Sequence, residues 1–86
     1  MEIKFNRKFR KRYQRFNLKR QLKVDNAINI FRENPFDQRI QNHSLYGGLS
    51  GKNAIKADYD LRIVFEEFEN YTMVLFVDVG SHGEVY

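Results

Sequence analysis

The sequence predicts an α+β domain: a small antiparallel sheet with an N-terminal two-helix hairpin packed on one face. Two helical patterns lie between residues 6 and 34, and most strand patterns follow them. Leu61, Ile63 and Phe65 alternate with Arg62, Val64 and Glu66, the period of a half-buried strand. Met73 to Val79 is an apolar run broken only by Asp78, the pattern of a central strand covered on both faces.

The elements follow in order. Ile3 to Phe5 reads as a short first strand. Asn6 is placed to cap a helix, because its side chain can accept from the free amides of the first turn. Phe5, Phe9, Tyr13 and Phe16 recur at helical spacing with Lys and Arg between them. That aromatic stripe belongs to a core. Asn17 is a candidate cap for a second helix, in which Val24, Ala27, Ile28 and Phe31 mark the buried face, with Leu18 and Leu22 near it. Asn34-Pro35 stops the helix, since the residue before a proline is pushed out of the helical region. A polar connector from Phe36 to Ser44 leads to Gly47, Gly48 and Gly51, a stretch of turns and short strand pieces. Asn53 to Ala57 forms a strand, Glu69-Asn70 a hairpin turn, and Gly80 ends the last strand. The helices cover one sheet face and leave the other open. There is no internal repeat, linker or low-complexity segment.

With 86 residues the chain has room for one domain, 1–86. A hydrophobic content of 42% is too high for a disordered chain. The absence of Cys excludes disulfides, thiolate metal sites and Cys nucleophiles. No apolar run approaches the roughly 20 residues that cross a bilayer, and Met1-Glu2-Ile3-Lys4-Phe5 carries no signal-peptide pattern. The expectation is a cytoplasmic protein with no membrane partner. The net charge of +4 hides an asymmetry: residues 1–23 hold ten Lys and Arg against Glu2 alone. Such a block suits RNA, DNA or an acidic protein, and equally a solvated helix face.

Three constellations can carry chemistry. His82 lies between Gly80-Ser81 and Gly83, just past the buried strand, and an unperturbed pKa of about 6.5 suits it to proton transfer near neutrality. Strand alternation puts Asp60 and Arg62 on one face and Leu61 on the other, where a fixed guanidinium can hold a phosphate. The plain alternatives are a surface turn histidine and a surface ion pair. His43, in the connector, says little alone. His43 and His82 with Asp58 or Asp60 lack any close ligand pair, so no metal site is expected. No Ser sits in the strand-to-helix elbow of a serine hydrolase.

Together these pieces resemble the RelE/ParE superfamily of small toxins, nearest to its RelE- and YafQ-like messenger ribonucleases. The resemblance rests on His43, Leu45 with Gly47, Leu49 with Gly51, Asp60 through Phe65, and Val79 through Tyr86. The basic helical hairpin and the Asn34-Pro35-Phe36 exit match as well, so it spans essentially the whole chain. It implies a RelE-like fold and a type II toxin that cleaves mRNA in the ribosomal A site without metal or cofactor. His82 matches the C-terminal functional position and is implied to be the general acid. Arg62 matches an arginine that stabilises the scissile phosphate. Asp60 matches a carboxylate that acts as base or orients a histidine, and His43 a histidine for proton transfer or phosphate contact. Tyr86 matches a terminal aromatic that stacks on a base. Lys52 and Lys56 are looser matches for phosphate contacts, Lys56 standing where YafQ-like members can carry another histidine.

The implied partners are a cognate antitoxin, the ribosome with its mRNA, and operator DNA only through the antitoxin complex. Two departures stand out: Asp78 where some YafQ-like members are basic, and Leu61 where they are aromatic. Asp78 would repel phosphate if it faced the cleft. Two alternatives stay open, a ParE-like toxin that binds DNA gyrase without catalysis, and an inactive relative that acts only through antitoxin and operator DNA.

Overall fold

The computed structural model describes residues 1–86. Strand β1 (Glu2–Phe5) runs into helix α1 (Arg7–Arg15) through Asn6, whose side-chain oxygen accepts the Phe9 amide at 2.9 Å. Asn17 opens α2 (Leu18–Glu33) in the same way, accepting from the Arg20 amide at 2.9 Å. Each cap satisfies one of the amides that a helix start leaves without a partner. Arg12 and Arg15 in the last turn of α1 complement its negative end. Asn34 caps α2, and Pro35 follows.

A 3-10 turn (Gln38–Ile40), β2 (His43–Ser44) and a second 3-10 turn (Gly47–Leu49) lead to β3 (Asn53–Asp58) and β4 (Leu61–Phe68). β5 (Met73–Gly80) and the short helix α3 (His82–Val85) complete the chain. The strand order is β1-β5-β4-β3-β2. The pairs β2–β3, β3–β4 and β4–β5 are antiparallel, as expected of hairpin neighbours. β1 instead lies parallel to β5, with Phe5 opposite Phe76, so the sheet is mixed rather than wholly antiparallel. Side-chain alternation is the same in either direction. Only a tight turn forces antiparallel pairing, and two helices separate β1 from the rest of the sheet.

The helices cover one face. Phe9, Val24, Ala27, Ile28 and Phe31 pack against Ile55, Leu61, Ile63, Phe65, Val74, Phe76 and Val79. Phe31 meets Phe65 and Phe76 edge-on, with ring centroids 5.0 and 5.4 Å apart. Leu18 and Leu22 lie outside this core, exposed on α2. Ile40 lies inside it at 1% exposure, so the polar connector contributes a core residue.

The second face is only partly open. Ala54, Val64 and Val85 are buried but stand outside the main cluster. β5 is accordingly covered less evenly than its run of apolar residues suggested: Met73, Leu75 and Val77 are half-buried. Opposite β4 the register slips, pairing Val64 with Asp78 and Phe65 with Phe76, which leaves Val77 as a bulge.

Candidate functional site

Asp60, Arg62, His82 and Tyr86 meet at the end of the sheet where the β3–β4 turn faces the exit of β5. Asp60 lies in the two-residue turn after β3 and not on the strand, which corrects the alternation argument. Its Oδ1 accepts the His82 backbone amide at 3.0 Å. Asp60 therefore holds the segment that carries the histidine, and it makes no ion pair with Arg62.

Arg62 is fixed through one nitrogen. Its Nη1 donates to the carbonyls of Asp58 (2.9 Å), Tyr59 (3.1 Å) and Leu61 (3.3 Å). No carboxylate pairs with it, and the remaining guanidinium N–H groups stay available for an anion. His82 is the first residue of α3 rather than part of an irregular turn. Its ring stands edge-on to Tyr86 at 4.7 Å and is exposed. Burial pushes the Tyr86 phenol above its ordinary pKa, while the Arg62 charge pulls the other way. The phenol and the guanidinium thus share one neighbourhood.

The other expected residues are arranged around this group. Lys56 pairs in register with Arg62, so both project from the sheet face opposite the helices. His43 pairs with Ala54 in the next row, on β2, two strands away from β4. Its Nδ1 donates to the Gln41 carbonyl at 2.8 Å, and no hydrogen bond links it to His82 or Asp60. Lys52 faces Glu66 across 3.5 Å, which partly neutralises it.

A second set of residues locks the site to α1. Asp78, at 6% exposure, lies 3.2 Å from Lys8 and 3.4 Å from Arg12, and it also accepts the Val79 amide at 2.9 Å. Its charge is therefore held by α1 and is not turned on the Arg62 group. Glu84 Oε1 accepts the Ser81 amide at 2.7 Å. The Ser81 amide and hydroxyl, then the Arg12 and Arg20 charges, hold the Glu84 carboxyl below its ordinary pKa. Between these groups runs Gly80, where a Cβ would stand 2.9 Å from Glu84 Oε1 and 3.0 Å from Arg12 Nη1. The Ser81-x-x-Glu84 spacing is a capping-box signal visible in the sequence. The Arg12–Asp78 contact has no local signal.

No three His, Asp or Glu side chains gather as metal ligands, and no helix is long and apolar enough to cross a membrane. No curated protein matches the sequence significantly. Among solved structures, a YoeB/ParE toxin from Agrobacterium tumefaciens is similar at 16% identity and a TM-score of 0.79, over 95% of this chain and 99% of that one. YafQ from E. coli strain BL21(DE3) is similar at 16% identity and a TM-score of 0.79, over 99% and 97%. The E. coli DinJ–YafQ complex gives 17% identity and a TM-score of 0.70, over 99% and 97%. These are likenesses of fold. The sequence itself matches, over residues 1–86, the family model for YafQ, the bacterial toxin of type II toxin–antitoxin systems. The chain thus belongs to the YafQ family of bacterial toxins of type II toxin–antitoxin systems.

Proposed function

We propose that the protein is a ribosome-dependent endoribonuclease that cleaves mRNA in the A site. The observation that carries this is Arg62, a guanidinium free of carboxylates and fixed beside the exposed His82 and Tyr86 rings. Cleavage breaks the P–O5′ bond as the neighbouring 2′-oxygen attacks phosphorus. Arg62 balances the charge that builds on the phosphoryl oxygens. His82 delivers the proton that the departing 5′-oxygen needs. Asp60 steadies the His82 segment through Oδ1, and its other oxygen takes the 2′-hydroxyl proton. Tyr86 stacks on a base. Lys56, His43 and the partly neutralised Lys52 contact the RNA backbone further along the face.

The exposed basic residues of α1 and α2 serve ribosomal RNA, and the protein works in the cytoplasm. A partner antitoxin restrains it, as DinJ accompanies YafQ in the E. coli complex, and operator DNA is reached only through that complex.

The test is incubation of the purified protein with translating ribosomes and, separately, with DNA gyrase. Site-specific mRNA cuts are expected, and His82→Ala should slow them by about 10²–10⁴-fold with the fold intact. Trapped gyrase–DNA breaks without mRNA cleavage would transfer the protein to the ParE-like class. Undiminished cutting by His82→Ala would remove that residue from the mechanism.

A further inference from the structure

Beside the Arg62 group, Tyr86 and the loop from Leu45 to Leu49 border an open cleft of about 280 Å³. Its lining is Leu45, Tyr46, Gly48, Leu49 and Tyr86, without a charged side chain. That volume lies at the small end for ligand sites, with room for one planar ring. Tyr46 is 85% exposed and Tyr86 41%, so one aromatic ring at the cleft stands largely in water and the other is partly covered.

The glycines add a second observation. Gly47 (φ +66°) and Gly51 (φ +89°) occupy the left-handed region, where glycine is the residue without strain. Gly48 does not, and a Cβ there would meet nothing within 4 Å. Neither backbone strain nor crowding calls for glycine at 48, and glycine lowers stability through the freedom it has when unfolded. A bare backbone lining a cleft lets a ligand come close. The loop's backbone bonds run from the amides of Leu45, Leu49, Ser50 and Lys52, which leaves those of Gly47 and Gly48 for another acceptor. Cations stand next to this neutral slot: Arg62 acts on the Tyr86 phenol, and Lys56 pairs with Arg62. A flat neutral group on an anionic chain fits both features.

We propose that the cleft between Tyr46 and Tyr86 binds one nucleobase of single-stranded RNA, with the Gly48 backbone reading the edge of the base. It rests on the ribonuclease function above for where along the message that base lies. Tyr46 and Gly48 are then residues that set sequence preference without taking part in the chemistry.

The experiment titrates ¹⁵N-labelled protein with single-stranded hexaribonucleotides of differing sequence. It compares wild type with Tyr46→Ala and Gly48→Ala, with thermal unfolding as the control for folding. The amides of Tyr46, Gly47 and Gly48 should shift with RNA. Tyr46→Ala should weaken binding roughly 5- to 150-fold, the range for loss of one stacked base. Gly48→Ala should unfold no earlier than wild type yet bind RNA more weakly. Loop amides that stay still, or two variants that bind like wild type, would overturn the proposal. If wild type cuts mRNA and both variants cut the same sites at the same rate, the cleft loses its role while the ribonuclease stands. If wild type cuts nothing but the loop amides still respond to RNA, the ribonuclease falls and the cleft stands.

Discussion

Asp78 carries the charge that looks most misplaced beside an anionic substrate, and its surroundings account for it. A carboxylate at 6% exposure is tolerated because Lys8, Arg12 and the Val79 amide face it. Removing it would take from Lys8 and Arg12 their carboxylate partner on β5 and from the Val79 amide its acceptor. Asp78→Ala should therefore destabilise the fold, and a double-mutant cycle with Arg12→Ala should give a coupling of about 0.5–3 kcal/mol. Urea unfolding of the four proteins measures this, and additive effects would mean that the two side chains act independently. Asp60 differs in kind, since its role is to hold a backbone amide of the His82 segment. Asp60→Asn keeps an oxygen acceptor and Asp60→Ala does not. Partial rescue by Asn, read as cleavage rate at saturating ribosomes, would support a positioning role, and equal losses would point to proton transfer. The placement of His82 just past the last strand and of Arg62 on β4 was legible in residue type and local spacing, whereas Tyr86 was marked only by the family resemblance. Where Asp60 sits was not legible, because a one-residue difference in where β4 begins moves it from the strand to the turn. Nor was Arg12, whose contact with Asp78 joins distant parts of the chain.

The starts of α1 and α2 were read for a local reason, and that of α3, which was not expected, carries a signal of the same kind. Asn6, Asn17 and the Ser81–Glu84 pair each act within three residues of themselves. Strand direction was not readable, because β1 finds β5 across the whole chain. The short α3 persists because its first turn is tied down from several sides: by Asp60, by Glu84 and by the snug passage of Gly80 past Arg12. Two outcomes follow. Gly80→Ala puts a methyl against Glu84 and Arg12, and overpacking of this kind destabilises by about 1–3 kcal/mol. The denaturant midpoint should fall, with chemical-shift changes concentrated in residues 80–86. The pH response of Glu84 has a definite sign. Its folded pKa is depressed, so the stability it adds is fully present above the unfolded value of about 4.3 and is lost as pH falls through the folded value. The melting-temperature gap between wild type and Glu84→Gln should then close as the pH drops below about 4. A gap that stays constant into acid would mean that the charge of Glu84 adds nothing.

At the scale of the whole molecule, charge and core are divided between the two sides of the helical hairpin. The inner side supplies Phe9, Val24 and Phe31 to the core. Phe31 touches Phe65 and Phe76, and Phe31→Ala should cost about 3–5 kcal/mol, a large share of what a domain this small has available. The outer side carries the cations. Lys8 is engaged with Asp78, whereas Arg7, Arg10, Lys11 and Arg15 are exposed and without ion pairs. The helix they occupy reaches the His82 segment through Arg12, which stands beside Gly80 and Glu84. If these four residues meet RNA phosphates, each contributes to the salt dependence of binding, with a slope of roughly −0.7 to −0.9 in log K against log salt per phosphate. Replacing all four by Gln removes charge without adding repulsion and leaves the Asp78 pairing in place. Binding to vacant ribosomes should weaken, and the magnitude of the slope should drop by about 3, with thermal stability unchanged. A variant that keeps both the affinity and the slope of wild type would show that the outer face is only solvated charge and that ribosome contact lies elsewhere on the molecule.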